Sequence, residues 1–217
     1  FHPHAGAFTA APEDVILLPQ DMDFERAALL PNMETAVGLV MDAAPLIGER
    51  AIVFGQGIVG LLVTSLLARL QLDSVVTVDP IAERRRLSLK LGASAALSPD
   101  ELTRLESLEP DLLLELSGNP QALDLAVQVA PFGARIIVGS WYGTKSAPLA
   151  LGGQFHRNRI TIVSSQVSTI APPLLGRWTK HRRLLSALRH LEHLPVTDLV
   201  THRISVDEAA AVYRILD

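Results

Sequence analysis

The chain has 217 residues, of which 48% are hydrophobic and 19% are charged, and it carries a formal net charge of −4 with no cysteine. Such a chain can bury a sizeable core, and its composition excludes intrinsic disorder. The lack of cysteine excludes a disulfide framework, a thiolate zinc site and a cysteine nucleophile. Because the balance is acidic and no stretch is apolar for long enough to span a membrane, we expect neither nucleic acid nor a membrane as a partner.

The first 31 residues contain short strand-like segments that are interrupted by four prolines. The sequence opens without methionine and without a basic region followed by an apolar stretch. We therefore expect a fragment or a processed product without a secretory signal, and a cytoplasmic location. Residues 32–44 are predicted to form a helix that leads into the first strand of the next region.

Between about residues 51 and 163, short aliphatic and β-branched runs alternate with helical patterns. This alternation predicts a doubly wound α/β fold, in which helices cover both faces of a parallel sheet. The predicted strands are 51–55, 74–79, 111–118, 134–140 and 159–165, with a weaker one at 93–97. The predicted helices between them are 58–70, 82–91, 100–107 and 121–129.

The last 50 or so residues have a different pattern. They are predicted to form a loop, a basic amphipathic helix at about 176–193, a strand at 199–205 and a helix from Asp207 onward. The basic side chains favour an exposed helix face or an interdomain contact over a ligand site. His190 and His193 share one face of this helix, but a metal site needs a third ligand that the pattern does not supply.

A glycine-rich turn joins the first predicted strand to an apolar helix. Gly55 permits the tight turn, Gly57 allows a pyrophosphate to approach the backbone, and Gly60 allows the helix to pack on the sheet. The free N–H groups and the dipole at the start of the helix favour such an anion. The candidate pyrophosphate-binding residues are therefore Gly55, Gly57, Ile58, Val59 and Gly60.

An acidic residue, Asp79, ends the second predicted strand. It follows the last glycine at close to the spacing of about 20 residues that is expected for an acid on the adenosine ribose. An acid at this position accepts hydrogen bonds from ribose hydroxyls and repels a 2′-phosphate, which favours NAD over NADP. Because Arg84, Arg85 and Arg86 follow closely and could hold a phosphate, NADP stays a minor alternative. The alternative without a ligand is a tight turn and an ordinary polar strand end.

Several linked segments resemble the zinc-type alcohol dehydrogenase family of medium-chain dehydrogenases/reductases. They are ALLPNMETAVGLVMDA, GERAIVFGQGIVGLL, VVTVDP, RRLSLKLGA, DLLLELSGNPQALDLAVQVAPFGARIIVGSW and LVTHRISVDEAAAVYRIL. The resemblance covers nearly the whole chain and implies a Rossmann domain at 32–165. It also implies remnants of a GroES-like, β-rich catalytic domain, with a tail of its first piece at 1–31 and an incomplete returning segment at 166–217.

The resemblance further implies which residues contact the cofactor, most of them at the ends of successive strands. On the adenosine side these are Asp79, Arg84, Ser117 and Gly118, and on the nicotinamide side they are Thr35, Val138, Gly139, Ser140, Val163 and Ser164. The alternative for each strand-end residue is turn formation alone. The resemblance also implies a homodimer in which the edge strand at 159–165 pairs with its counterpart.

The same resemblance raises the question of a catalytic zinc ion. Family members that use zinc hold it through the catalytic domain, and the third ligand would fall near Pro31, where neither Cys nor His is present. Glu34 is the nearest candidate, and it would need a shifted alignment. Because an open catalytic site normally needs three protein ligands, we predict no metal on this chain and zinc only in an intact protein.

The function implied by the resemblance is NAD(H)-dependent hydride transfer between nicotinamide and a small-molecule alcohol, polyol, aldehyde or ketone. The sequence assigns no catalytic residue. Two alternatives stay open: a zinc-independent quinone or enoyl reductase that uses NADPH, and a dinucleotide-binding module without turnover of its own.

Overall fold

A computed structural model describes residues 7–12, 15–195, 198–208 and 212. Its centre is a six-stranded parallel sheet in the order β3-β2-β1-β4-β5-β6. The strands are β1 (Arg50–Phe54), β2 (Ser74–Val78), β3 (Ala95–Leu97), β4 (Leu112–Glu115), β5 (Arg135–Val138) and β6 (Thr161–Ser164). The strand order reverses between β1 and β4, which confirms the doubly wound Rossmann fold.

Seven α-helices surround the sheet in the described part of the chain. They are α1 (Phe24–Ala28), α2 (Leu30–Ala43), α3 (Ile58–Leu67), α4 (Ala82–Lys90), α5 (Leu102–Ser107), α6 (Pro120–Val129) and α7 (Lys180–Leu191). Every strand and helix predicted between residues 51 and 163 is present, with ends shifted by a few residues. None of the helices in the described ranges is long and apolar enough to cross a membrane.

Two apolar clusters lie on opposite faces of the sheet, because successive strand residues point to opposite sides. On one face, Val53 and Leu114 pack with residues of α2, α3 and α7. On the other face, Phe54, Leu113 and Ile136 pack with residues of α5 and α6. The near-continuous apolar strands are thus covered on both sides, as predicted.

Ion pairs close the amino end of the sheet. Arg135, at the start of β5, donates from Nη1 to Glu49 Oε1 at 2.8 Å and from Nη2 to Glu49 Oε2 at 2.9 Å. Glu49 Oε2 also accepts the Leu46 N–H at 2.8 Å. The hydrogen bonds from Arg135 hold the pKa of Glu49 below its usual value. Beside this pair, Asp111 accepts the Arg50 N–H at 2.9 Å.

The structure differs from the sequence-based expectations outside the sheet. Residues 199–205, predicted as a strand, contain no strand residue, and neither do the described strand-like segments of the first 19 residues. A strand needs a partner for its backbone hydrogen bonds, and these segments belong to none of the strand pairs of the described sheet. Of the helix predicted from Asp207 onward, the structure describes a 3-10 turn at Val206–Glu208 and a helical residue at Val212, and the rest lies outside the described residues.

Candidate functional site

A cleft of about 440 Å³ opens at the carboxyl ends of β1, β2 and β4. It lies at the point where the strand order reverses, which is where doubly wound sheets bind their ligands. Five of the residues predicted from the sequence line it: Gly55, Gly57, Asp79, Arg84 and Ser117. The fold therefore brings the glycine-rich turn, the acid after β2 and the end of β4 to one cleft.

The three glycines of the turn have different neighbours. Gly55 has a φ of +88°, and a Cβ there would lie 2.6 Å from the Ser117 Cα. A Cβ on Gly60 would lie 1.9 Å from the carbonyl oxygen of Gly55. A Cβ on Gly57, in contrast, would meet no described atom within 4 Å. Folding therefore requires glycine at Gly55 and Gly60, whereas the open space beside Gly57 is available to a ligand.

The first turn of α3 presents its amide groups at the same place. The Leu61 N–H is bonded to the carbonyl oxygen of Gly57 at 2.9 Å. The residues between them, Ile58, Val59 and Gly60, precede this bond, and N–H groups in the first turn of a helix have no partner within it. Because Gly57 caps the helix without a side chain, these amides suit an anion such as a pyrophosphate.

Asp79 joins the turn to the end of β2 and is only 2% exposed. Its Oδ2 accepts the Gln56 N–H at 2.7 Å, and its Oδ1 accepts the Ile81 N–H at 2.8 Å. A carboxylate can accept about four hydrogen bonds, so Asp79 can take further donors from the cleft that it lines. Its position therefore suits the hydroxyl groups of a ribose.

The three consecutive arginines after β2 do not share one role. Arg85 donates to the carbonyl oxygens of Asp79 at 2.7 Å and Pro80 at 2.9 Å. Arg86 is paired with Glu83. Arg84 alone of the three lines the cleft, with Nη1 3.8 Å from Asp79 Oδ2 and 48% of its side chain exposed. The sequence could not separate them, because their roles depend on where α4 directs each side chain.

Glu115 holds the cleft residue Ser117 in place, a role that the sequence-based reasoning missed. It ends β4, is fully buried, and accepts the Ser117 N–H at 2.8 Å and the Ser117 hydroxyl through Oε1. Its Oε2 accepts the Tyr142 hydroxyl, and burial together with this bond raises the pKa of Tyr142 well above its usual value. A glutamate inside an apolar strand could have indicated such a role, since buried carboxylates need donors.

The ends of β4 and β5 are tied together beside the cleft. Ser140 Oγ accepts the Gly118 N–H at 2.8 Å and donates to the Glu115 carbonyl oxygen at 3.3 Å. A Cβ on Gly139 would lie 2.6 Å from side-chain atoms of Leu116 and Leu39, so α2 passes close to this strand end. The predicted pairs Ser117 with Gly118 and Gly139 with Ser140 therefore adjoin each other, next to half-buried Val138.

Of the ten predicted residues that do not line the cleft, three lie on α2 and β6. Thr35 is half-buried on α2, where its hydroxyl donates to the Pro31 carbonyl oxygen at 3.0 Å. Val163 and Ser164 are exposed on the edge strand β6, two strands away from β4. All three belong to the residues that were predicted to contact the nicotinamide half of the cofactor.

The candidate zinc ligand has a different partner. Glu34 Oε1 accepts hydrogen bonds from Arg183 Nε at 3.2 Å and Nη2 at 2.9 Å. Arg183 is only 3% exposed, and it also donates to the carbonyl oxygens of Thr169 at 2.8 Å and Val167. Among the described residues, no group of three or more His, Asp or Glu side chains could hold a metal ion. These residues do not fit a zinc site.

The fold defines a Rossmann domain with a cleft where the strand order reverses. Comparison with known families then identifies the chain as a member of the zinc-binding dehydrogenase family, whose model matches residues 59–187. The match begins in the first turn of α3 and includes all strands from β2 onward and most of α7.

Relatives with curated functions are similar over most of the chain. Galactitol 1-phosphate 5-dehydrogenase of Escherichia coli K12 is 26% identical over 210 residues, which cover 93% of this chain and 60% of the relative. D-guloside 3-dehydrogenase of the same strain is 27% identical over 172 residues, covering 76% and 49%. The chain thus spans 60% or less of the length of these two relatives.

Solved structures have the same fold. The crystal structure of galactitol-1-phosphate dehydrogenase from Escherichia coli matches with a TM-score of 0.77 and 25% identity, covering 92% of this chain and 59% of that one. An alcohol dehydrogenase from Escherichia coli CFT073, complexed with NADH, matches with a TM-score of 0.75 at 18% identity, covering 92% and 57%. Because the identity of this second structure is only 18%, its similarity to the chain shows the fold alone.

Proposed function

We propose that this chain is the nucleotide-binding part of an NAD(H)-dependent dehydrogenase. The enzyme would transfer hydride between nicotinamide and a small-molecule alcohol or polyol, or the corresponding aldehyde or ketone. The observation that carries the proposal is the open space beside Gly57, next to the first-turn amides of α3 and bordered by Asp79. The relatives named galactitol 1-phosphate 5-dehydrogenase and D-guloside 3-dehydrogenase support the substrate class.

The residues around the cleft would bind and orient the cofactor, whose nicotinamide ring supplies the hydride chemistry when it is bound. The amides of Ile58 and Val59 would bind the pyrophosphate, and Asp79 with Arg84 would bind the adenosine ribose. Ser117 and Gly118 would flank the adenosine side. The nicotinamide half would extend past Val138, Gly139 and Ser140 toward Thr35, Val163 and Ser164.

NAD rather than NADP is the proposed cofactor because of the charges at the ribose end. The buried carboxylate of Asp79 would repel a 2′-phosphate. Arg85 and Arg86 already bind groups of the protein, which leaves Arg84 to offset that repulsion. A single half-exposed guanidinium beside a buried carboxylate favours a ribose with free hydroxyls.

A homodimer is also part of the proposal. β6 pairs with β5 on one side and ends the sheet on the other, and Thr161, Val163 and Ser164 are exposed. Unpaired main-chain groups on such an edge can bind a second copy of the strand. We expect light scattering to give twice the chain mass, and a monomeric mass would contradict the pairing.

Two further statements stay predictions. One is the division into a catalytic tail at 1–31, the Rossmann domain at 32–165 and a returning segment at 166–217. The other is the cytoplasmic location.

Titration with NADH and NADPH tests the proposed function. We expect saturable NADH binding, seen as a change in nicotinamide fluorescence and a rise in the unfolding temperature, and NADPH binding that is weaker by about tenfold or more. A lack of response to both dinucleotides would overturn the proposal. Tighter binding of NADPH would favour the quinone or enoyl reductase alternative.

A further inference from the structure

Gln56, which lies between Gly55 and Gly57 in the glycine-rich turn, has a fully buried polar side chain. Its Nε2 donates to the carbonyl oxygens of Gly55 at 3.0 Å and Val53 at 3.4 Å. Its Oε1 accepts the hydroxyl of Thr64, which is itself fully buried on α3, at 3.0 Å. The side chain therefore connects the end of β1, the turn and the second turn of α3 through hydrogen bonds.

An amide in this position is not needed to fill space. Burying an amide costs free energy unless its hydrogen bonds are made, whereas an apolar side chain of similar size would fill the same volume without that cost. The amide instead orients the Gly55 carbonyl group, because its hydrogen bond holds that oxygen on the side of the turn that faces Gly60. The closeness of that oxygen to Gly60 makes the turn intolerant of displacement, since a Cβ on Gly60 would lie 1.9 Å away.

We propose that Gln56 is a positioning residue for the pyrophosphate of the dinucleotide, acting through Gly55 and Thr64. This inference rests on the proposed function. Glycine loses more conformational freedom on ordering than any other residue, so a turn with Gly55 and Gly57 is costly to order. Because the hydrogen bonds of Gln56 order the turn when the chain folds, that cost is not part of ligand binding. The amides of Ile58 and Val59 are then already aligned when the dinucleotide binds.

The two ends of the cleft respond differently to this residue. Asp79 accepts the backbone N–H of residue 56, a contact that any side chain except proline preserves. The adenosine end therefore depends on the main chain, whereas alignment of the pyrophosphate end depends on the amide side chain. A substitution at Gln56 should affect ligands with a pyrophosphate and spare adenosine.

The test uses the full chain with NADH, ADP-ribose and adenosine as probes. Gln56→Met keeps the size of the side chain and removes its amide, Thr64→Val removes the hydroxyl partner, and Thr64→Ser is the matched control that keeps it. Calorimetry gives the affinities for NADH and ADP-ribose, and ligand-observed NMR gives that for adenosine. Thermal unfolding establishes that each variant is folded.

We expect Gln56→Met and Thr64→Val to lower the affinities for NADH and ADP-ribose by about tenfold, as for the loss of an aligned hydrogen bond. The affinity for adenosine should change by less than about twofold. Thr64→Ser should bind all three as the unchanged chain does. Equal affinities for ADP-ribose in all variants would overturn the inference. So would a parallel loss of adenosine binding, because that would indicate general damage to the sheet end.

The same experiment separates this inference from the proposed function. If the unchanged chain binds neither NADH nor ADP-ribose, the proposed function fails and the inference fails with it. If the unchanged chain binds both and Gln56→Met binds them equally well, only the inference fails. If Gln56→Met does not fold, the Thr64→Val and Thr64→Ser pair decides by the same criteria.

Discussion

The two ends of the sheet use carboxylates in different ways. At the amino end, both oxygens of Glu49 bind the guanidinium of Arg135. At the carboxyl end, Asp79 and Glu115 accept hydrogen bonds mainly from backbone N–H and hydroxyl groups of the turns. One end is closed by paired charges, and the other is shaped around a cleft of about 440 Å³.

This difference indicates which end of the sheet contributes to stability alone and which end also contributes to ligand binding. Asp79 is held by neutral donors, lines the cleft and keeps capacity to accept a ligand's hydroxyl, whereas Glu49 is bound by a guanidinium and does not line the cleft. Changes at the amino end should therefore lower stability alone. Changes at the carboxyl end should alter dinucleotide affinity, with or without a loss of stability.

The largest expected effect is that of Gly60→Ala. The added Cβ would lie 1.9 Å from the Gly55 carbonyl oxygen, and a backbone atom cannot move aside as a flexible side chain can. We expect a loss of about 3 kcal/mol in the free energy of unfolding, measured by urea denaturation, together with loss of NADH binding.

The matched control is Gly57→Ala, where the Cβ meets no described atom within 4 Å. Its free energy of unfolding should stay within about 0.5 kcal/mol of that of the unchanged chain. Its affinity for NADH should still fall by about tenfold, because the methyl group occupies space that the ligand needs. Unchanged NADH affinity in Gly57→Ala would contradict the assignment of the open space to the cofactor.

Asp79→Asn should give the second largest effect. The amide nitrogen cannot accept a hydrogen bond, so the N–H of either Gln56 or Ile81 loses its acceptor, at a cost of about 2 kcal/mol in the free energy of unfolding. Because the negative charge is removed, the ratio of NADPH to NADH affinity should rise. Titrations of both dinucleotides measure that ratio, and an unchanged ratio would contradict the role of Asp79 in cofactor preference.

Glu49→Gln tests the amino end, with an expected loss of about 1 kcal/mol at pH 7 and no change in NADH affinity. The pKa of Glu49 is lowered in the folded chain by Arg135, so the stabilisation is complete above the ordinary value of 4.5 and is lost as pH falls through the lower folded pKa. Urea denaturation from pH 7 to pH 3 should show the difference between variant and unchanged chain shrinking. A difference that grows toward low pH would contradict the ion pair.

Tyr142→Phe should have the smallest effect. It removes one hydrogen bond to Glu115, whose other oxygen keeps the N–H and hydroxyl of Ser117, so the expected loss is about 1 kcal/mol or less in thermal or urea unfolding. NADH affinity should change by less than about threefold. A loss as large as that of Asp79→Asn would mean that the two carboxylates of this end do not act separately.

Much of this fold could be predicted because its signals are local. Alternating apolar runs predicted the sheet, and glycines at Gly55, Gly57 and Gly60 between a strand and a helix predicted the turn. The prediction of a strand at 199–205 was wrong, because a strand forms only with a partner strand, which the sequence of the segment alone does not specify.

The candidate site was predictable only in part, for the same physical reason. Asp79 could be found from its spacing after the glycines. The bonds of Glu115 to Tyr142, of Gln56 to Thr64 and of Arg183 to Glu34 could not, since each joins side chains that only the folded chain brings together.

The most direct test of the account is the position of the dinucleotide on the sheet. Backbone amide NMR of the full chain, recorded during NADH titration, reports which N–H groups the ligand reaches. We expect the amide resonances of Ile58, Val59 and Gly60 to shift in proportion to occupancy, while those of Arg50 and Arg135 at the amino end stay unchanged. Saturable NADH binding that leaves the first turn of α3 unshifted would contradict the account.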